Sequence, residues 1–327
     1  MKVAVVGAGV MGLASARALA QRGEDVTVYE QFDLGHERGS SHGASRIFRL
    51  SYLEDKWIAL AQRAYVLWRE LERETGAQLL KLNGLLDAEA NVSARIAAFE
   101  RHGVPYEILE PDQIAQRFSM AYDRPLVFSS DAGISLAAEA CLAFESSARS
   151  AGAKIREHTR IERLHDLDAD VVVVTAGGWA PKLLADVGIE LPAKATREST
   201  AYFALADQRV IPSVIDELDV QEGRSFYALE APGVGLKAGL HQSGAPTDPD
   251  DTAEPDARLL EIVSDWVARR FPFVDPEPIA TETCIYTTTS DDRFVLERHG
   301  CIVVVSACSG HGFKFAPAVG ELVAELV

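Results

Sequence analysis

The chain opens on an apolar run, residues 2–6, whose unbroken pattern predicts a buried strand. A helical pattern over 12–22 and a second apolar strand over 25–29 follow, the strand ending at Glu30. This order predicts a βαβ opening. Over 55–74 the apolar positions Trp57, Leu60, Ala61, Ala64, Trp68 and Leu71 recur at helical spacing and predict a long amphipathic helix with one face in the core. From residue 79 the texture changes to short strands (84–88, 106–109, 126–129) mixed with short helices (92–102, 112–118), which reads as a second domain. A helix over 137–151 and strands over 154–156 and 171–175 return the chain to the first domain. Strands over 201–206, 225–230 and 234–240 and a helix over 257–270 resume the second. The charged loop Asp248-Pro249-Asp250-Asp251 lacks the spacing and central glycine of a calcium loop and reads as a solvated helix start. A buried strand over 301–306 and a helix over 317–326 close the chain, and no internal repeat or low-complexity segment interrupts it. The expected division is 1–80, 137–190 and 285–327 for the first domain, and 81–136 and 191–284 for the second.

Composition narrows the partners. The 327 residues are 47% apolar and 25% charged, as in an ordinary water-soluble protein, and the net charge is −17. That sign opposes nucleic acid and anionic membranes, both polyanions, while leaving a small acidic substrate open to a few local cations. The bland reading of the acidity is solubility. Cys141, Cys284, Cys301 and Cys308 form no CxxC pair, and the glycine-dense start carries no cleavage site. A reducing, cytoplasmic setting is therefore expected. No uncharged run reaches the ~20 residues of a membrane span.

The candidate chemistry begins with Gly7, Gly9 and Gly12, around Val10 and Met11, between the first strand and its helix. Glycines are needed there for a tight turn, for close approach of backbone to a pyrophosphate and for packing of helix on strand. The helix N-terminus adds unpaired N–H groups, and Glu30 stands where an acid meets ribose hydroxyls. This pattern alone does not separate FAD from NAD. The following loop, residues 39–49, carries Ser40, His42, Arg46 and Arg49. Three apart on a turn or helix start, the two arginines would share one side, one leaning on a cofactor and the other gripping a carboxylate. Read without context, they are two surface arginines. Far along the chain, Cys284-Ile285-Tyr286 and Ser309-Gly310-His311-Gly312-Phe313-Lys314 offer a thiol, a glycine-rich turn and a cation.

The segments GAGVMG, YEQFDLGHERGSSHGASRIFR, GVGLKAGLH, TCIYT and CSGHGFKFAPAVGE resemble, in order and across nearly the whole chain, the monomeric sarcosine oxidase and N-methyltryptophan oxidase family of D-amino-acid-oxidase-like flavoproteins. The middle of the second domain matches poorly. The resemblance implies FAD held by Gly7, Gly9, Val10, Met11, Gly12, Glu30, Ser40, Arg46, Ala176, Gly177, Gly310, His311, Gly312 and Lys314, and bound covalently as a thioether through Cys284. It implies that Lys237 lies over the flavin ring, where a fixed cation favours reduction of O₂, with Arg46 as a second cation beside the ring. His42, His241, Tyr227 and Tyr286 would line the site, and Arg49 and Lys314 would grip the substrate carboxylate and so orient the amine. A metal is not expected.

Departures from the family pattern also occur. Ala44 and Ser41 replace an acid and a histidine of the family loop, and the gap from Tyr227 to Lys237 is one residue short. Family members continue beyond the final helix, which leaves a trimmed chain or an open face beside the flavin as readings. The fold expected is α/β (mixed α+β): a Rossmann-type FAD domain assembled from discontinuous segments, with a mixed-sheet substrate domain. The function implied is oxidation of the C–N bond of a secondary, N-methylated amino acid by a monomeric enzyme, with O₂ reduced to hydrogen peroxide. Rivals are an oxidase of pipecolate, proline, glycine or an N-methylated aromatic amino acid, a dehydrogenase using another acceptor, and a flavin-binding subunit without turnover.

Overall fold

The structure is a computed structural model that describes every residue except 90 and 208. Its first sheet has six strands in the order Val295–His299, Ile302–Ser306, Val171–Val174, Lys2–Val6, Asp25–Tyr29, Lys154–Arg156. All pairs are parallel except the outermost, Val295–His299 against Ile302–Ser306. The apolar runs follow from this placement, because side chains alternate between two buried faces. Val3, Val5, Val26, Val28, Val171, Val173, Val303 and Val305 share one core. Ala4, Val6, Val172, Val174 and Val304 share the core on the opposite face. Helices Val10–Gln21, Asp55–Thr75, Ala137–Ser150 and Ala316–Leu326 pack into the first of these cores. Two of them meet backbone to backbone: a Cβ on Gly320 would lie 2.6 Å from the Ala14 carbonyl oxygen.

The second sheet holds nine strands, with Ala193–Leu205, Gly235–Leu240, Arg224–Ala231 and Ser213–Gln221 as successive neighbours, continued by Leu85–Ala88, Leu126–Ser129 and Glu107–Leu109. Val274–Thr289 runs antiparallel along the other side of Ala193–Leu205. Helix Ala257–Arg270 covers this sheet, with Trp266 stacked on Phe226 at 5.0 Å and donating its indole N–H to buried Asp216. A small third sheet joins Ser45–Phe48, Gly133–Leu136 and Leu80–Lys81.

Several elements differ from expectation. The first helix starts at Val10 rather than 12. The strand expected over 201–206 is the end of the thirteen-residue strand Ala193–Leu205, whose polar first half hides it. Val274–Thr289, sixteen residues rich in Thr and Glu, was not foreseen and runs unbroken across residues 284 and 285. Ser45–Phe48 is a strand where a turn or helix start was expected. The acidic loop before helix Ala257–Arg270 is more than a solvated helix start. Asp256 caps the helix, while Asp250 accepts two hydrogen bonds from Arg160 and one from the Trp179 indole. Arg38 donates to the Asp250 carbonyl. Among the described residues no helix is long and apolar enough to cross a membrane.

Candidate active site

A cavity of about 1310 Å³ runs from the first glycines to the carboxy-terminal turn. This exceeds the ~300–1,000 Å³ usual for one drug-sized ligand. At one end Gly7 has φ +102°, and a Cβ there would lie 2.8 Å from the Thr175 carbonyl oxygen. A Cβ on Gly12 would lie 1.9 Å from the Gly7 carbonyl oxygen. The turn therefore closes only with glycine at both positions. Gly9 is the N-cap and has no side chain to cover the first turn of the helix; Val10 N–H donates to Ser41 Oγ at 3.0 Å. Glu30 is buried and accepts hydrogen bonds from Ala8 N–H at 2.8 Å and Phe32 N–H at 3.1 Å. Met11, Ala176 and Gly177 line the same end.

The middle of the cavity is built on one face of the second sheet. Side chains two apart on a strand share a face, and register aligns the rows. Tyr202 is opposite Lys237, Thr200 opposite Glu282, Glu198 opposite Cys284, Leu229 opposite Lys237 and Tyr227 opposite Gly239. Lys237, His241, Glu282, Cys284, Tyr286 and Tyr227 thus fall on one surface. Ser45–Phe48 brings Arg46 to this group. Its guanidinium donates to the carbonyls of Ser40 at 2.9 Å, His42 at 2.6 Å and Ser45 at 2.8 Å. Lys237 is 4% exposed and bonded to Glu282. Burial, with Arg46 beside it, brings its pKa down to about 8. His42 is buried, with Nδ1 3.9 Å from Glu282 and Nε2 without a partner among the described residues. Burial and Arg46 hold it at about 4. Ser40 donates to the Ile285 carbonyl, tying this loop to the Cys284 strand.

Opposing influences act on the Cys284 thiol. Arg46 and Lys237 do pull it towards thiolate, but burial outweighs them and pushes it up to about 11. The thiol is therefore protonated at neutral pH, unlike the activated cysteines that react fastest.

A second group forms beside the carboxy-terminal turn. Arg49 lies 4.4 Å over the Tyr52 ring. Lys314, 4% exposed, lies 5.7 Å from the same ring and donates to the His311 carbonyl at 2.5 Å. Burial alone would raise the Tyr52 phenol, but Lys314 and Arg49 together bring it below its ordinary value. Burial and then Arg49 and Lys314 hold His241 at about 4; burial and Lys314 hold His311 at about 3. Gly310, at φ +72°, fits between two rings: a Cβ would lie 2.3 Å from Tyr286 and 2.5 Å from His241. A Cβ on Gly312 would lie 1.8 Å from the Ala307 carbonyl oxygen.

One geometric expectation is corrected. Arg46 and Arg49 do not share a side. Extended backbone sends residues three apart to opposite faces, so Arg46 joins Lys237 while Arg49 joins Lys314. Both still line the one cavity. Three residues of these groups escaped sequence reading: Tyr52, Tyr202 and Glu282. The signal for Glu282 was present, since it stands two before Cys284. Among the described residues no cluster of three or more His, Cys, Asp or Glu could hold a metal.

This combination of parallel sheet, glycine cradle and buried acid at the end of the second strand is that of a dinucleotide enzyme, and the chain belongs to the family described as "FAD dependent oxidoreductase" (DAO), whose pattern it matches over residues 2–326. It is 32% identical to the human peroxisomal sarcosine oxidase over 98% of this chain and 90% of that one. It is 30% identical to the monomeric sarcosine oxidase of Bacillus sp. (strain B-0618) over 99% and 91%. Among solved structures it is similar to NikD, an amino acid oxidase essential for nikkomycin biosynthesis, with a TM-score of 0.88 and 28% identity over 99% of this chain and 93% of that one. The residues present fit FAD: the cradle leaves no room for a Cβ at Gly7 or Gly12, and the unpartnered Nε2 of buried His42 belongs to a residue lining the cavity.

Proposed function

We propose that the protein is an oxidase of secondary, N-methylated amino acids of the sarcosine type. The observation that carries this reading is a pair of cations, buried Lys314 and half-buried Arg49, at one end of the cavity whose other end is the glycine cradle. Bound FAD supplies the two-electron acceptor for the C–N bond. Gly7, Gly9, Val10, Met11 and Gly12 would bring the turn and the helix start against its phosphates, and Glu30 would meet its ribose. Ser40, Ala176, Gly177, Gly310, His311 and Gly312 bring backbone and small side chains to the remaining cofactor wall. Arg49 and Lys314 bind the substrate carboxylate, and the Tyr52 ring lies against both cations. Fixing one end of a small amino acid turns binding into orientation. Tyr227, Tyr286 and His241 enclose the rest of the substrate.

No strong base stands in this group. Burial keeps His42 and His241 neutral but weakly basic, at about 4 each. That suits a substrate amine that enters neutral and gives up hydride or its equivalent without a protein base. Lys237 and Arg46 supply positive charge on the opposite side, where O₂ is the expected acceptor and hydrogen peroxide the product. Covalent attachment through Cys284 belongs to this proposal, supported by its place in the cavity between Arg46 and Lys237. So do a monomeric state, a cytoplasmic setting, and the assignment of 1–80, 137–190 and 285–327 to the cofactor and of 81–136 and 191–284 to the substrate.

The test is anaerobic titration of the purified yellow protein with sarcosine, pipecolate, proline, glycine and N-methyltryptophan. Loss of flavin absorbance with an N-methylated acid, followed by stoichiometric peroxide on readmitting air, is expected. A flavin that stays oxidised with every N-methyl amino acid would sink the reading.

A further inference from the structure

The heads of three charged side chains converge behind Gly43. A Cβ built there, at φ +87°, would lie 3.3 Å from Glu282 Oε1, 3.4 Å from Lys237 Nζ and 3.5 Å from an Arg46 guanidinium nitrogen. Two of these charges are positive and one is negative. Glu282 Oε1 accepts from the Lys237 ammonium and, at 3.4 Å, from the Thr200 hydroxyl. The other carboxylate oxygen stands 3.9 Å from His42 Nδ1. Around Lys237 stand Tyr202 from Ala193–Leu205, Glu282 and Cys284 from Val274–Thr289, and His42 and Arg46 from the segment before and within Ser45–Phe48, while the neighbouring strand Arg224–Ala231 sets uncharged Leu229 opposite it. Nothing in the expectations from sequence included Glu282.

The balance of charge at this point is decided by that carboxylate. A buried ammonium alone loses several kcal/mol of hydration, and a neighbouring guanidinium repels it further. Both effects act on Lys237, and Glu282 works against both. The aromatic ring of Tyr202, 5.2 Å from Nζ, adds a smaller attraction. A neutral lysine could offer neither charge stabilisation nor a third donated hydrogen bond. Its four-carbon stem is also flexible, so the bond to Glu282 limits where Nζ points.

We propose that Glu282 is a positioning residue: its carboxylate holds the Lys237 ammonium charged and aimed along the cavity wall. The proposal rests on the oxidase reading only for what Lys237 then does, namely favour reduction of O₂. Glu282 itself acts through Lys237.

Two measurements on the holoprotein test it. In the first, the Lys237 ammonium is titrated by NMR with ¹³C-labelled lysine, its signal assigned by its loss in Lys237→Met. Glu282→Gln should lower the midpoint by about one to three units, and Glu282→Asp should recover part of the shift. An unmoved midpoint in Glu282→Gln overturns the proposal. In the second, the flavin is photoreduced without substrate and its reoxidation by O₂ is followed against pH. The rate should fall with rising pH earlier in Glu282→Gln than in the parent, and the double variant Lys237→Met/Glu282→Gln should match Lys237→Met. A uniform loss at all pH values, or a further loss in the Lys237→Met background, overturns it. Should Glu282→Gln fail to fold, Glu282→Asp carries both arms, with a smaller shift in the same direction expected and no shift refuting. Neither arm uses an amine, and the lysine titration stands even if O₂ reacts slowly, so failure of the oxidase reading is told apart from failure of this one.

Discussion

Replacing Lys314 by methionine removes one of the two cations at the carboxylate end while keeping the length and packing of the stem. Lys314 is buried and donates to the His311 carbonyl. Burial and the neighbouring Arg49 lower its pKa from the ordinary lysine value, while Tyr52 pulls it back up. A hydrogen bond to a charged group contributes about 1.5–3 kcal/mol. At about 1.4 kcal/mol per decade, Lys314→Met should weaken binding of an amino acid by roughly 10- to 150-fold. Arg49 remains, so binding should be weakened and not abolished. A buried ammonium is costly to maintain, so the melting temperature should hold or rise. The assay is the anaerobic Kd from flavin bleaching, measured with sarcosine and with a secondary amine that has no carboxylate. The amine should bind the variant and the parent alike, and the flavin content should not change. Equal Kd values for sarcosine, or equal losses for both ligands, would refute the tether. A second signature follows from the charges: Lys314 helps to hold His241 and His311 at about 4 and about 3, so both imidazoles should titrate higher in the variant.

Gly310→Ala forces a Cβ to within 2.3 Å of Tyr286 and 2.5 Å of His241 at a left-handed φ. Such strain costs on the order of 1–3 kcal/mol, so calorimetry should show a lower melting temperature and kinetics a raised KM; a variant unchanged in both would remove the ring-to-glycine packing from the site. Asp250→Ala releases the contacts to Arg160 and Trp179. Residues 247–256 should then exchange amide hydrogens faster, with Asp250→Asn intermediate. The Arg160 and Trp179 bonds lower the Asp250 carboxyl to about 2, so the clasp should hold from neutral pH downwards and be lost only as pH falls through that value. Opening already at pH 4 would contradict it. Burial raises the Cys284 thiol to about 11, so flavin that stays with the acid-precipitated pellet should form faster at pH 9.5 than at pH 7 during reconstitution. Cys284→Ala should release all colour to the supernatant, and colour persisting in that pellet would dismiss Cys284 as the anchor.

The amino-terminal strand, the turn and its helix could be read directly because their pattern has one cause. A parallel strand buried on both faces must be apolar throughout, and a turn with no space for a Cβ at Gly7 or Gly12 must be glycine. Local order alone also gave Asp55–Thr75 and Ala257–Arg270, whose apolar stripes face one core. The chemistry-bearing segments were legible through resemblance, since Lys237, Cys284 and Lys314 sit in the short segments GVGLKAGLH, TCIYT and CSGHGFKFAPAVGE.

Three strands or parts of strands stayed hidden. Ser45–Phe48 and Val274–Thr289 turn Ser45, Arg46, Cys284, Tyr286 and Thr287 towards the cavity, and the first half of Ala193–Leu205 is mixed in character. Apolar periodicity measures burial in a hydrophobic core and is blind to burial beside a cofactor. The resemblance implied Arg46 with Lys237 and Arg49 with Lys314, but the physical cause of that separation was beyond the sequence. That Arg46 faces Lys237 and Arg49 faces Lys314 depends on an extended backbone between them, and the Glu282–Lys237 pair depends on register between strands 45 residues apart. Residue types and local turns are properties of neighbours in the chain. The sign and strength of a buried charge are set by whatever the folded sheet brings against it, and only the tertiary structure contains that information.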